Sequence, residues 1–393
     1  MQRFELRPVL ASDIPEVACI LHKRGEDGPA PEPVGEGPPT IERRLRWLLL
    51  GSPFSTSESS HGYCVRDSSG TIKGLELSFP NAFLAGSRRL MGLCSTNYFV
   101  DPPARTMGFH LFKRYLATPG FSLFFSTTCN VRSAPLWETL GGHAVPNSEL
   151  EYLFPLRLST LLPALLAGKT SNKAALAITQ LLGSCGDRIL RLSNHRSNGI
   201  TTEPCQDWEK LSYLFQRHRS HDFITTDRSP EFLEWRYGQN PDMHPCGVYL
   251  FRDRCGNEGW FSLGRVVRGR RRQIAGCVLL DTVWPRERVG LGKILSEIFR
   301  LAGGRFDLLS VAPQPGLDCD ACDDRLIPRR LAVPGSFVIA RHGDLPSMAA
   351  AMDLCWADGD GALPAAPNLR RPEVVSAMEP GGGNAITKGH KAA

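Results

Sequence analysis

Arg105 and Gly108 stand three residues apart in the stretch "YFVDPPARTMGFHLFKRYL", where a strand-like run ending at Val100 passes through a Pro pair into an apolar-periodic helix. Residues of these types in this order suit the binding of an anion. A helix N-terminus offers unpaired N–H groups and a partial positive charge, and a diphosphate aimed at it is a natural ligand. Gly108, without a Cβ, lets the backbone come close. Thr106, Met107, Phe109 and His110 line the same helix mouth, and Tyr98, Phe99 and Val100 precede it on the strand. His110 reads equally well as a phosphate contact or as a helix-surface histidine. Proton transfer needs a further group. Glu76 in "GLELSF" is the nearest carboxylate to offer as a base, with a solvated strand carboxylate as the plainer alternative.

Those residues need strands and helices to hold them. "FELRPVL" reads as a strand, and "ASDIPEVACILHKR" as a helix with Ser12 or Asp13 as cap and Pro15 in its first turn. "TIERRLRWLLL" is a second helix after the Pro/Gly loop Gly25–Pro39. Two strand-like runs flank "DSSG", a hairpin signal. "RRLMGLCSTNYFV" is a long strand leading into the Arg105 loop, and "FSLFFSTTC" is a buried strand. "SAPLWETLGG" is a short helix, and "ELEYLFPL" is expected to close the unit as a strand.

A polar linker, "SNHRSNGITTEPC", follows a helical connector, and the second half repeats the run of hairpin, strand, Gly-mouthed helix and strand, with "SFVIARHG" as its last strand. The expected organisation is residues 1–156, a connector and linker over 157–204, a second unit over 205–345, and a disordered tail over 346–393.

The N-terminal half resembles the GNAT (GCN5-related N-acetyltransferase) superfamily. Its cofactor loop reads V-x-P-x-x-R/Q-x-x-G-x-G/A, and Val100, Pro102, Arg105 and Gly108 stand at that spacing, with His110 at the last small position. Asn130 and "LWETLGG" match the segment after the family's fifth strand in outline, with Gly142 in place of the aromatic. In the second half, Val283, Pro285, Arg288, Gly290 and Gly292 resemble the same loop with one residue deleted, which reads as a degenerate copy.

The resemblance implies an α/β fold of two GNAT-like domains, each a mixed, mostly antiparallel sheet flanked by helices, joined by a helical linker. It implies acetyl-CoA, or another acyl-CoA, as co-substrate. The pantetheine arm would lie along the fourth strand near Tyr98–Val100, and Asn130 would hydrogen-bond cofactor or backbone. The family often places a Glu or His on that strand, and a Tyr in the helix after the next. Here "LMGLCSTNYFV" has no Glu, Asp or His, and Trp137 takes the Tyr position.

The reading is an acyl-CoA-dependent N-acyltransferase acting on an amine of a small molecule, sugar or peptide. One alternative is a non-catalytic CoA-binding scaffold. Another is an aminoacyl or peptidyl transferase using a charged RNA, to which the five arginines of Arg265–Arg272 lend some support.

Composition fits a soluble globular protein: 42% hydrophobic and 22% charged residues, with a net charge of +6. That charge is too small to point to nucleic acid. The twelve cysteines are scattered, which fits buried thiols in the cytoplasm rather than a disulfide framework. Cys319-x-x-Cys322 would need a second ligand pair, which His218 and His221 could supply only if the fold brought them close, so an acidic loop is expected there and no metal. The apolar runs Leu158–Gly168 and Ala174–Gly186 are shorter than the ~20 residues of a membrane span and read as core or docking helices. Oligomeric state is left open.

Overall fold

The computed structural model describes residues 3–26, 37–55, 61–167, 172–194, 199–243, 247–268, 274–313, 326–341, 343 and 345–359. The Arg270–Arg272 turn, the Cys319–Cys322 pair and the tail beyond 359 lie outside these residues.

The first sheet contains β1 (Phe4–Pro8), β2 (Gly62–Asp67), β3 (Ile72–Ala85), β4 (Arg88–Val100) and β5 (Leu123–Ser126) in that spatial order. The β2–β3 turn forms as its residues dictate: Asp67 Oδ1 accepts from the amides of Ser69 and Thr71, and Gly70 takes φ 81°. Helices α1 (Ile14–Glu26) and α2 (Pro38–Leu50) pack on one face. Helices α3 (Met107–Leu116) and α4 (Ala134–Thr139) cover the other, around Phe112, Tyr115, Phe124 and Trp137.

Beyond β5 the sheet takes strands that the linear order does not suggest. β6 (His143–Ala144) lies at the edge, and β7 (Leu150–Pro155), expected to close this sheet, pairs instead with β13 (Leu308–Val311) of the second sheet. The place beside β5 is filled by β15 (Phe337–Ala340), which was expected to end the second half. Each sheet is therefore completed by a strand from the other half of the chain.

The second sheet runs β14–β7–β13–β12–β11–β10–β8, with β8 (Ile200–Pro204), β10 (Gly247–Asp253), β11 (Glu258–Arg268), β12 (Ile274–Val283) and β14 (Ile327–Arg330). β8 occupies the segment expected to be polar linker. Its polar residues, with Thr201, Glu203 and Pro204 exposed, hide the strand from a hydrophobicity pattern, and its pairing with β10 at the sheet edge reveals it.

Helix α9 (Leu291–Ala302) buries Leu291, Ile294, Leu295, Ile298, Phe299 and Ala302 beneath this sheet, the spacing of one helical stripe. Phe299 stacks on Phe154 of the exchanged β7 at 3.7 Å. Helix α7 (Trp208–His218) starts at Asp207, whose side chain accepts from the Lys210 amide. The short α8 (Pro230–Leu233) starts at Ser229, which accepts from the Phe232 amide.

One apolar core runs between the halves: Leu77, Phe79 and Phe83 of β3 join Trp235, Leu250, Trp260 and Leu280. The indole N–H of Trp47 donates to Trp235 O, and that of Trp235 to Trp47 O, with the rings stacked at 5.4 Å. α5 (Leu158–Ala167) and α6 (Lys173–Asn194) form a helical hairpin between the two halves of the sequence. Among the described residues no helix is long and apolar enough to cross a membrane.

Residues 346–359, expected to belong to a disordered tail, are ordered and central. After α10 (Leu345–Ala351), β16 (Met352–Asp353) pairs with β9 (Ile224–Thr226), which itself pairs with β3. Met352, Leu354, Cys355, Trp356 and Ala357 are buried. The Gly/Pro-rich composition after Gly359 dominates the sequence window and masks this apolar run.

Candidate active site

β4 and β5 pair in parallel only over Gly92–Leu123, Leu93–Phe124 and Cys94–Phe125. Beyond that rung β4 continues to Val100 with no pairing to β5, so the two strands form a fork. Tyr115 of α3 sits at its base: its hydroxyl donates to Leu93 O at 2.7 Å, with Phe125 O at 3.4 Å. The free arm of β4 is also bent. Its register with β3 shifts between Leu75/Phe99 and Leu77/Thr96, and Asn97 takes φ 51° in the resulting bulge.

Helix α3 opens at the mouth of this fork, after a 3-10 turn over Pro102–Ala104. Arg105, Thr106, Phe109 and His110 are exposed there and Met107 is half-buried. Gly108 is buried against β4. A Cβ on it would lie 2.7 Å from the Tyr98 hydroxyl and 3.4 Å from Val100 Cγ2, so the glycine makes room for the side chains of β4. Gly108→Ala is expected to displace the Tyr98 ring and cost about 1–3 kcal/mol of stability, the scale of overpacking; guanidinium denaturation checks this.

Tyr98 lies edge-on to Phe112, and burial, with the nearby Glu76 charge, pushes its phenol up to about 12. Phe99 carries the Arg24 guanidinium over its ring at 3.9 Å, and Arg24 donates to Asp101 at 2.6 Å. Arg24 was missed from the sequence, since nothing local to α1 signals that it meets the end of β4.

Glu76 is wholly buried rather than solvated. It lies in β3 opposite the bulge, and neither carboxyl oxygen has a hydrogen-bond partner. Burial raises its pKa well above the ordinary carboxylate value, and the nearby Ser95 hydroxyl, outside good hydrogen-bond geometry, offsets only part of that rise. Burial of this kind favours the neutral form of a carboxyl. Asn130 is committed to backbone: its Oδ1 accepts from the amides of Arg132 and Ser133 before α4. Trp137 is core, stacked on Phe337 and edge-on to Phe112, with no proton-transfer role. The structure thus gathers Tyr98, Phe99, Val100, Gly108 and Glu76 at the fork, sets Arg105, Thr106, Phe109 and His110 at its rim, and leaves Asn130 on the α4 turn.

The second sheet repeats the fork. β12 pairs in parallel with β13 as far as Leu279–Val311 and continues to Val283, with a register shift against β11 next to Asp281. Here the chain's own C-terminal segment lies against the strand: the turn Trp356–Asp358 packs on β12. Arg228, fully buried, donates to Asp281 Oδ2 at 2.6 Å and meets Asp358 Oδ1 at 2.7 Å. Arg236 donates to Gly359 O, and Asn81 of β3 to Asp358 O at 2.7 Å. Val289 and Leu291 fill the start of α9 with buried side chains.

Asp353 lines a polar cavity with His218, Arg228, Asp281 and Arg286, and burial pushes its carboxyl from 3.8 up to about 7 against the pull of Arg286. Between those two values the folded chain holds a proton that the unfolded chain has lost, so stability falls as pH rises toward 7. Asp353→Asn is expected to flatten that part of the melting temperature against pH profile.

Two mostly antiparallel sheets flanked by helices, each forked beside a helix start, define a GNAT-like fold. The chain is similar to Saccharomyces cerevisiae N-myristoyltransferase with bound myristoyl-CoA, at a TM-score of 0.57 and 10% identity over 89% of this chain and 85% of that one. It is also similar to a conserved protein of unknown function from Enterococcus faecalis V583, described as a probable N-acyltransferase, at a TM-score of 0.53 and 11% identity over 88% and 74% of the two chains. No protein-family model and no curated protein matches the sequence.

Proposed function

We propose that the chain is an acyl-CoA-dependent N-acyltransferase that passes an acyl group, acetyl or longer, to an amine of a small molecule, sugar or peptide. One observation carries this reading: the β4–β5 fork opens directly beside the start of α3, a place for an extended arm next to a place for a diphosphate. The amides at the start of α3, with Arg105, would hold the diphosphate. The unpaired edge of β4 at Tyr98–Val100 would hold the pantetheine as an added strand.

The chemistry asked of the protein is modest. The amine nitrogen attacks the thioester carbonyl, a C–N bond forms, the C–S bond breaks, and the proton lost by nitrogen ends on the departing sulfur. Glu76, once ionised, is the group we assign to take that proton from the amine. A backbone N–H near Val100 would face the developing oxyanion. The nine free cysteines among the described residues suit a reducing cytoplasm. The similarity in fold to an enzyme solved with myristoyl-CoA supports the CoA ligand and is the reason for testing long acyl chains as well as acetyl.

The test is thiol release from acetyl-, octanoyl- and myristoyl-CoA against a panel of primary amines, alongside calorimetry with CoA. Turnover with any pair supports the reading. Tight CoA binding with no turnover across the panel supports the scaffold alternative, and absence of CoA binding ends both.

A further inference from the structure

Helix α6 presents a row of aliphatic side chains to solvent. Ile178, Leu181, Leu182 and Ile189 are 58%, 70%, 63% and 69% exposed, and the exposed Cys185 lies among them. Their spacing places all five on one helical stripe. The opposite side of α6 is spent on its partner helix. A Cβ on Gly183 would lie 2.5 Å from Ser159 Cα, and Asp187 accepts from the Leu158 amide and the Ser159 hydroxyl. With Leu165 of α5, 67% exposed, this hairpin holds five of the ten exposed large hydrophobics among the described residues, a concentration rather than the usual scatter.

Charge identifies the occupant. From Arg157 to Asn194 the sequence carries five basic residues, Arg157, Lys169, Lys173, Arg188 and Arg191, and one acidic residue, Asp187. Asp187 is buried in its capping role, whereas Lys173 and Arg188 are exposed. We propose that this face of α6 docks the protein on an anionic lipid surface, with the aliphatic stripe in the headgroup boundary and the basic residues against the phosphates. The stripe runs ~16 Å along the helix, the length of 11 residues at 1.5 Å each, and lies flat rather than spanning. A second copy of the chain placed on the same face would oppose like charges. The stripe also holds none of the Trp or Tyr anchors on which protein partners rely.

The experiment is sedimentation of the full chain with phosphatidylcholine vesicles, with and without phosphatidylserine. The wild type is expected to co-sediment with the phosphatidylserine vesicles and to come off as salt rises. Lys173→Gln and Arg188→Gln should each weaken binding about five-fold, and Leu181→Glu with Leu182→Glu should abolish it with unchanged melting temperature and CoA affinity. Three results overturn the proposal: no sedimentation of the wild type, a wild-type dimer that Leu181→Glu dissociates, or a melting temperature lowered by Leu181→Glu, which would show that another part of the chain covers the face.

Discussion

Replacing Glu76 with Gln is expected to lower kcat by ~100- to 10,000-fold, the usual contribution of a positioned general base, with CoA affinity little changed. Glu76 must lose its proton to act, and its burial raises its pKa above the ordinary carboxylate value. Wild-type kcat/KM should therefore rise with pH to a limb above the ordinary carboxylate range, and Glu76→Gln should erase that rise. Stability moves the other way. A carboxyl whose folded pKa is raised contributes stability at low pH and loses it as pH climbs through the folded value. Gln carries no such loss, so Glu76→Gln should melt at or above the wild-type temperature at alkaline pH. Unchanged kcat would reduce Glu76 to a buried oddity of β3. A collapse in melting temperature would mean that its packing matters more than its charge.

The second large effect is on stability. Arg228→Met should cost about 3–5 kcal/mol, because removing one partner of a buried ion cluster leaves the others uncompensated. Asp281 and Asp358 would both lose their counter-charge, Asp281 keeping the Tyr237 hydroxyl at 3.0 Å and Asp358 the Cys355 amide at 2.7 Å. Asp358 belongs to the C-terminal segment, so the loss should also release that segment from β12 and from Asn81. Guanidinium denaturation measures the first effect, and hydrogen exchange at residues 352–359 measures the second. Restoring neutrality with Asp281→Asn and Asp358→Asn in the same chain should recover much of the loss. Failure to recover would point to packing of Arg228 against the Phe232 ring as the main contribution.

Much of the fold is legible from local patterns. The cap at Ser229, the "DSSG" turn, the apolar stripe of α9 and the Gly-mouthed helix after β4 all form where their residues indicate. Each is a short-range signal. The exchange of β7 and β15 was not legible, because a strand's residues fix which side faces the core but not which distant strand lies alongside. Glu76 illustrates the same limit at the site. Its type suggested a base, yet its complete burial beside the β3–β4 bulge depends on strand register, which no local pattern fixes. Gly108 shows what spacing alone does not reveal: the structure adds the Tyr98 hydroxyl as a close neighbour of that glycine.

The traded strands bear on how the molecule is made. Synthesis proceeds from the N-terminus, so β5 emerges some two hundred residues before its antiparallel partner β15. Until then the nascent first half keeps an open edge, the feature that invites pairing with other chains. A fragment ending at residue 156 would never acquire that partner and would carry β7 with no sheet to join. The two halves are thus obligate companions in folding, and coexpression of severed halves, rather than either alone, is the arrangement that can reconstitute the protein.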